Sequence, residues 1–321
     1  MKKIEQLLST GKPFDIDMSV CMKHAQVISS YIRPIEIFSW SSKPNYIQLT
    51  FKVSFIAICH QFNWDFMQNT LAKYLLADDV EIVELLERMD ARTIAKWLSA
   101  YPKQERVRAK ERAEILRDVG RVLRKDFGGD LQYFYECCEK ATVSNIDFYA
   151  FLDKFEGYRT DPLKKKTNVL THDLLKENIV SFEKGMQINP AIDYHIMRLY
   201  LRTGRVIPTD KAIFKYLEGA PNPRGALVKK LREAVSEAEA NTAFYSKLNV
   251  ADVNYIEWQI GRSICLNNKP ICQNENKVIS IPSDVSALCK GNCPYIDVCW
   301  AASVDKKFID FEEPIYISKN Y

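Results

Sequence analysis

Ile260–Ala302 reads IGRSICLNNKPICQNENKVISIPSDVSALCKGNCPYIDVCWAA and holds five of the chain's nine cysteines. Their order is Cys265-x6-Cys272, then Cys289-x3-Cys293-Pro294-x4-Cys299. Thiolates grouped in this way can hold a metal or an iron–sulfur cluster. The other four, Cys21, Cys59 and the adjacent Cys137 and Cys138, lack a ligand spacing and read as small buried hydrophobes.

Working outward, 321 residues suffice for a full core and for two domains or lobes. Hydrophobic residues at 47% and charged residues at 27% describe a soluble globular chain. No run of 18 apolar residues occurs, which excludes a spanning helix and any membrane partner of that kind. The opening MKKIEQLLSTGKPFDIDMSV has two lysines but no apolar core, so no secretory signal is expected. The expected location is cytoplasmic, where thiolate ligation outweighs disulfides, and the expected state is a monomer.

A net charge of +4 is compatible with a polyanionic partner without demanding one. Between Lys103 and Lys125 lie nine Lys/Arg against four acids. On one helix that excess could track phosphates; it also reads as a solvated, salt-bridged face.

Most of the chain carries helical periodicity. Leu85, Leu86, Met89, Ile94 and Leu98 share one face, as do Ile115, Val119 and Leu123. Further helices are expected near 67–77, 145–155, 167–184, 194–203, 209–218 and 223–248. The exception is early: Ile47, Leu49, Phe51, Val53 and Phe55 alternate with Gln48, Thr50, Lys52 and Ser54, a period of two that predicts a strand. With Ser41–Asn45 as a turn and Ile35–Trp40 as partner, a small N-terminal β-hairpin is expected.

Two central segments stand out. In Phe155–Leu170 a helix ends near Phe155, Gly157 is its stop, and a second helix opens near Leu163 with Lys164, Lys165 and Lys166. Three lysines at a helix N-terminus oppose its dipole, a costly choice unless they meet an anion or do chemistry; they also read as solvated loop charges. In Asn189–Val206, Asp193 stands where an N-cap belongs and Gly204 where a helix stops. Asp193 by itself reads as an ordinary cap.

With these three segments in view, the chain resembles the helix-hairpin-helix (HhH-GPD) DNA glycosylase superfamily, including iron–sulfur members such as endonuclease III and the adenine glycosylases. Phe155–Leu170 looks like the hairpin and the lysine–threonine opening of its second helix. Ile192-Asp193-Tyr194-His195-Ile196-x-Arg198-x3-Arg202-x-Gly204 looks like the stretch that bears the catalytic aspartate. Ile260–Cys272 and Cys293–Ala302 look like the cluster loop. The match covers roughly 146–206 and 253–302. It implies a mainly α, two-lobed fold divided as an accessory segment 1–66, a helical core 67–248 and a cluster loop and tail 249–321.

The resemblance further implies that Asp193 is catalytic and that Lys166 is the Schiff-base lysine of the bifunctional branch, with Lys164 and Lys165 as register alternatives. It gives Cys265, Cys272, Cys293 and Cys299 as ligands of a [4Fe-4S] cluster, with Cys289 as competitor and zinc as the other metal that suits four thiolates. Gly157, Arg159, Lys164, Lys165 and Arg262, with Lys290 beside them, are the implied DNA contacts. The partner would be duplex DNA carrying a damaged or modified base, extruded for cleavage.

The chain departs from the family in three places. The hairpin has one glycine instead of Gly-x-Gly, so its phosphate contact is in question. The Lys166-to-Asp193 interval is longer than in endonuclease III and looks more like the archaeal 8-oxoguanine branch, which lacks the cluster. Twenty residues separate Cys272 from Cys293, where the family has two. A second reading is a glycosidase of the same fold acting on a nucleoside, nucleotide or RNA, with Phe38, Trp40, Phe62 and Trp64 sandwiching a base, loosely similar to queuosine-nucleoside glycosylases. Those four also read as core aromatics. A third is a non-catalytic nucleic-acid-binding module.

Overall fold

The structure is a computed structural model and describes residues 4–5, 8, 11–32, 38–161, 163–219, 222, 224–268, 270–273, 283–289 and 292–314. In chain order come β1 (Phe14–Ile16), α1 (Met18–Ile28), α2 (Asn45–Ile58), α3 (Trp64–Leu75), α4 (Ile82–Glu87), α5 (Ala91–Trp97), α6 (Ala109–Phe127) and α7 (Leu131–Ala141). There follow α8 (Asn145–Leu152), α9 (Glu156–Arg159), α10 (Lys165–Lys176), α11 (Tyr194–Thr203) and β2 (Val206–Pro208). The last are α12 (Lys211–Leu217), α13 (Gly225–Ser246), α14 (Val250–Ser263), α15 (Ser283–Cys289) and α16 (Trp300–Ser303). The fold is mainly helical. Among the described residues no helix is long and apolar enough to cross a membrane.

The chain divides into two compact units, one from Met1–Pro34 and Asn189–Tyr316, the other from Ile35–Ile188 with Ile317–Tyr321. These boundaries differ from the expected breaks at 66 and 248. Both ends of the first unit's core are supplied by segments far apart in sequence, which local composition does not reveal. In that unit β1 and β2 pair antiparallel, Ile16 opposite Val206. Helix α1 lies along α13, and α11 along α14. Asp17 caps α1 by accepting from the Val20 amide at 3.0 Å. Gly204 ends α11 at φ +78°, and a Cβ there would sit 2.3 Å from the Trp300 ring, so the stop is also a packing site.

The second unit corrects the expected hairpin. Ile47–Phe55 is the middle of helix α2, not a strand. Positions 35–37, the start of the expected partner strand, lie outside the described residues. The alternation misleads because α2 is buried on every side, so polar positions are as enclosed as apolar ones. Each polar group is satisfied separately. Thr50 and Ser54 bond back to the carbonyls of Tyr46 and Thr50, both at 2.8 Å. Lys52, fully buried, pairs with Asp173 at 3.0 Å and with Glu177. A helix that buries its whole circumference shows no amphipathic stripe, and the period-two pattern is incidental.

Elsewhere the helical periodicity holds with shorter elements. The face from Leu85 to Leu98 is split into α4 and α5 by Asp90, which caps α5 through the Thr93 amide at 2.7 Å. The 167–184 expectation is realised as α10, which ends at Lys176. The basic stretch 103–125 enters α6 only from Ala109, and much of its charge is already engaged. Arg112 is buried and bonds the carbonyls of Arg106 (3.0 Å), Val107 and His60 (2.8 Å), while Arg117 bonds that of Met89 at 2.7 Å.

Candidate functional site

Asp193 does cap α11. Its Oδ1 accepts from the Ile196 amide at 3.1 Å, and its Oδ2 accepts from the Trp258 indole N–H at 3.1 Å. The side chain is mostly buried, at 8% exposure, so both oxygens are held by fixed donors and little of the carboxylate meets bulk water. Five residues on, Arg198 donates to His195 Nδ1 at 3.0 Å, to the Gly261 carbonyl at 2.8 Å and to the Cys265 carbonyl at 2.8 Å, and pairs with the buried Glu313. Four residues further, Arg202 donates to the carbonyls of Leu266 (2.7 Å), Asn267 (2.9 Å) and Phe311 (3.0 Å). The i,i+4 arginines of α11 therefore knit the turn after α14 to the helix that Asp193 begins.

Cys265, Cys272, Cys293 and Cys299 line one cavity, walled otherwise by apolar groups including Leu199, Ile264, Ile271 and Ala301, with Arg202 and Tyr295. Cys289 lies in α15 and does not line it. Burial pushes the Cys299 thiol up to about 12, raises Cys272 and drives Cys293 well above its ordinary value, with neighbouring sulfurs adding to each. Thiols so placed stay protonated unless a cation takes the proton's place. Arg202 Nη1 stands 3.8 Å from Cys265 Sγ, a cationic donor suited to negative sulfur. Among the described residues no three His, Cys, Asp or Glu side chains converge closely enough to hold a metal ion, although the four thiols line the same cavity. Soft donors around an apolar space with a cation at the rim fit a sulfide-bridged cluster. Behind them Tyr295 donates to Glu257 at 2.8 Å, and Glu257 pairs with Arg205; both partners are fully buried.

In the other unit, Lys166 is buried at 2% exposure, and its Nζ donates to the Ala57 carbonyl, in the last turn of α2, at 2.6 Å. Its backbone amide is capped by Asp161 Oδ2 at 2.7 Å, so Asp161 supplies the negative charge that the lysine-rich helix start requires. Burial lowers the Lys166 amine to about 8; Asp161 opposes this and Lys165 adds to it. Around it stand Cys59, which burial pushes to about 12, and His60, which burial pushes down to about 4 while it pairs with Glu111 at 2.6 Å.

The other expected contacts fare unevenly. Gly157 is not a helix stop: it lies within α9, buried, where a Cβ would come 3.0 Å from the Ala57 Cβ and 3.1 Å from Ile115. Its role is close packing, and a buried amide cannot serve a phosphate. Lys164, at φ +54°, is ion-paired with Asp153. Lys165 is half-buried and Arg159 is exposed. Arg262 lies over the Trp258 ring at 4.2 Å. Lys290 lies outside the described residues. Of the aromatics considered for holding a base, Trp40 is buried with Phe38 stacked on it at 4.5 Å, Trp64 meets Phe55 edge-on, and Phe62 stacks on Tyr101 at 3.7 Å. All four pack against the second unit's core.

The residues missed from sequence are Trp258, Ala57 and the Arg202 contact to sulfur. Only Trp258 had a signal: Asn254, Trp258 and Gly261 fall at i, i+4 and i+7 on α14. No protein-family model matches this chain, and no curated protein does.

Proposed function

We propose that the chain is an N-glycosidase of the helix-hairpin-helix kind that removes a damaged or modified base from duplex DNA and has an associated strand-cleaving lyase activity. The observation that carries this reading is Lys166, an amine walled off from water and lowered to about 8, with its helix start capped by Asp161. A lysine kept partly neutral near physiological pH is a competent nucleophile.

In this reading the target nucleotide is turned out of the duplex. Asp193 stabilises positive charge developing at C1′ as the glycosidic bond weakens. The neutral Lys166 amine attacks C1′, the base departs with its electron pair and takes up a proton, and opening of the sugar leaves a Schiff base on Lys166. Loss of the proton from C2′ then expels the 3′ phosphate. The four cysteines would hold a [4Fe-4S] cluster, which when bound braces the loop between α14 and α16. Arg159 remains the exposed cation suited to the DNA backbone.

Buried Gly157 favours the second reading, cleavage of a free modified nucleoside or of RNA, because it removes the bare-amide phosphate contact from the hairpin. One experiment separates the two. Duplexes carrying oxidised, alkylated, deaminated or hypermodified bases, and the matching free nucleosides, are scored for base release. Release from a duplex, with binding that weakens steeply as salt rises, supports the DNA reading. Release from nucleosides alone selects the second, and release from neither, with the duplexes still bound, leaves a binding module.

A further inference from the structure

One face of α14 runs along the segment that presents Asp193. Asn254 Nδ2 reaches the Ala191 carbonyl at 3.4 Å, and the same amide donates to the buried Glu239 at 2.7 Å. One turn on, the Trp258 indole N–H donates to Asp193 Oδ2 at 3.1 Å. Nearly a turn further, Gly261 lies so close to His195 that a Cβ would stand 2.7 Å from its carbonyl oxygen. Positions i, i+4 and i+7 of the helix thus meet residues 191, 193 and 195 in turn. The Trp258 ring is itself backed by the Arg262 guanidinium at 4.2 Å.

A carboxylate held only by its helix cap can still turn about its side-chain torsion. With the Ile196 amide on Oδ1 and the indole on Oδ2, both oxygens are tied to rigid elements and the carboxylate plane is set. The indole N–H is a donor only, so it cannot take a proton from Asp193 or exchange roles with it. Its effect is to aim the carboxylate. That arrangement serves a group whose work is to face a developing cation.

We infer that Trp258 is a positioning residue for Asp193, with Arg262 supporting its ring, so that α14 sets the orientation of the carboxylate. The inference rests on the catalytic reading of Asp193 for its consequence, but not for its geometry, and the test has an arm for each.

The first arm uses the whole protein labelled with nitrogen-15 and follows hydrogen exchange at the Trp258 indole, assigned by its loss in Trp258→Phe. Slow exchange in the wild type, accelerated at least tenfold in Asp193→Ala, is the expected result. Exchange unaffected by Asp193→Ala overturns the inference, whatever the enzyme acts on. The second arm measures base release on the best duplex or nucleoside of the panel. Trp258→Phe, which keeps the ring and removes the donor, should lower kcat about ten- to a hundredfold with KM unchanged, as misaimed catalytic groups do. Trp258→His, which restores a ring N–H, should recover part of the loss. A Trp258→Phe enzyme of unaltered kcat overturns the positioning role. A wild type that releases no base from any substrate, with the indole still protected by Asp193, sinks the glycosidase reading and leaves the clamp standing.

Discussion

The Lys166 ammonium nitrogen donates to the Ala57 carbonyl oxygen at 2.6 Å, joining residues 109 positions apart in sequence. An amine in that place keeps a partner while losing water, which is why its proton is held less firmly than on an exposed lysine.

Borohydride trapping on a duplex with a single abasic site should therefore give a covalent adduct in the wild type and none in Lys166→Gln. Only the neutral amine attacks, so the trapping rate should climb as pH rises through about 8 and level off above it. At pH 7 about a tenth of the amine is neutral on that value. An adduct persisting in Lys166→Gln would transfer the role to Lys164 or Lys165.

Asp193→Asn should keep the fold, because asparagine is as good an N-cap and its carbonyl can still accept from the Ile196 amide, while its –NH2 gives up the bond from the Trp258 indole. Base release should drop by about a hundredfold or more with the loss of the negative charge. Thermal melting and turnover measured on one preparation decide it; full turnover in the variant would end the catalytic assignment.

For the cysteines, the protein as purified should contain iron and inorganic sulfide in equal amounts, with broad visible absorption. Cys293→Ser or Cys299→Ser should lose both, while Cys289→Ser, whose thiol lies outside the shared cavity, should retain them. Zinc in place of iron would overturn the cluster.

Gly261→Ala should destabilise the first unit by about 1–3 kcal/mol, the usual cost of forcing a methyl into a packed contact. The atom it would meet is the His195 backbone carbonyl, which cannot swing aside. Urea unfolding followed through α11 and α14 measures the effect; a midpoint equal to that of the wild type would contradict the close approach.

His60 carries a pH-dependent share of stability. Its folded value lies near 4 and its unfolded value near 6.5, so between these the unfolded chain binds a proton that the folded chain refuses. The stability it protects is present above about pH 6.5 and is lost as pH falls towards 4. Glu111, lowered by the same pairing, adds to the loss at the acid end. The unfolding midpoint of His60→Asn should accordingly fall less than that of the wild type over this window, and parallel curves would refute the linkage.

Helix α2 shows where sequence reading fails. Its apolar positions Leu49, Phe51, Val53 and Phe55 are all fully buried, yet so are Thr50, Lys52 and Ser54. Period-two alternation signals a strand only when one face meets solvent, and no face of α2 does. The carboxylates that neutralise Lys52, Asp173 in α10 and Glu177 just after its end, lie more than a hundred residues away. By contrast α11 was legible in full, from the Asp193 cap to the Gly204 stop, because both signals act within one turn of the residues that carry them.

What the sequence alone determined was this local grammar: the helical class, the cap and stop of α11, and the spacing of four cysteines that line one cavity. The tertiary structure decided the rest. It buried the Lys166 amine under the Ala57 carbonyl, turned Gly157 into a packing contact, and brought Trp258 onto Asp193 across 65 residues of chain. Desolvation and donor placement depend on what folds against a residue, and neither is written in its neighbours along the chain.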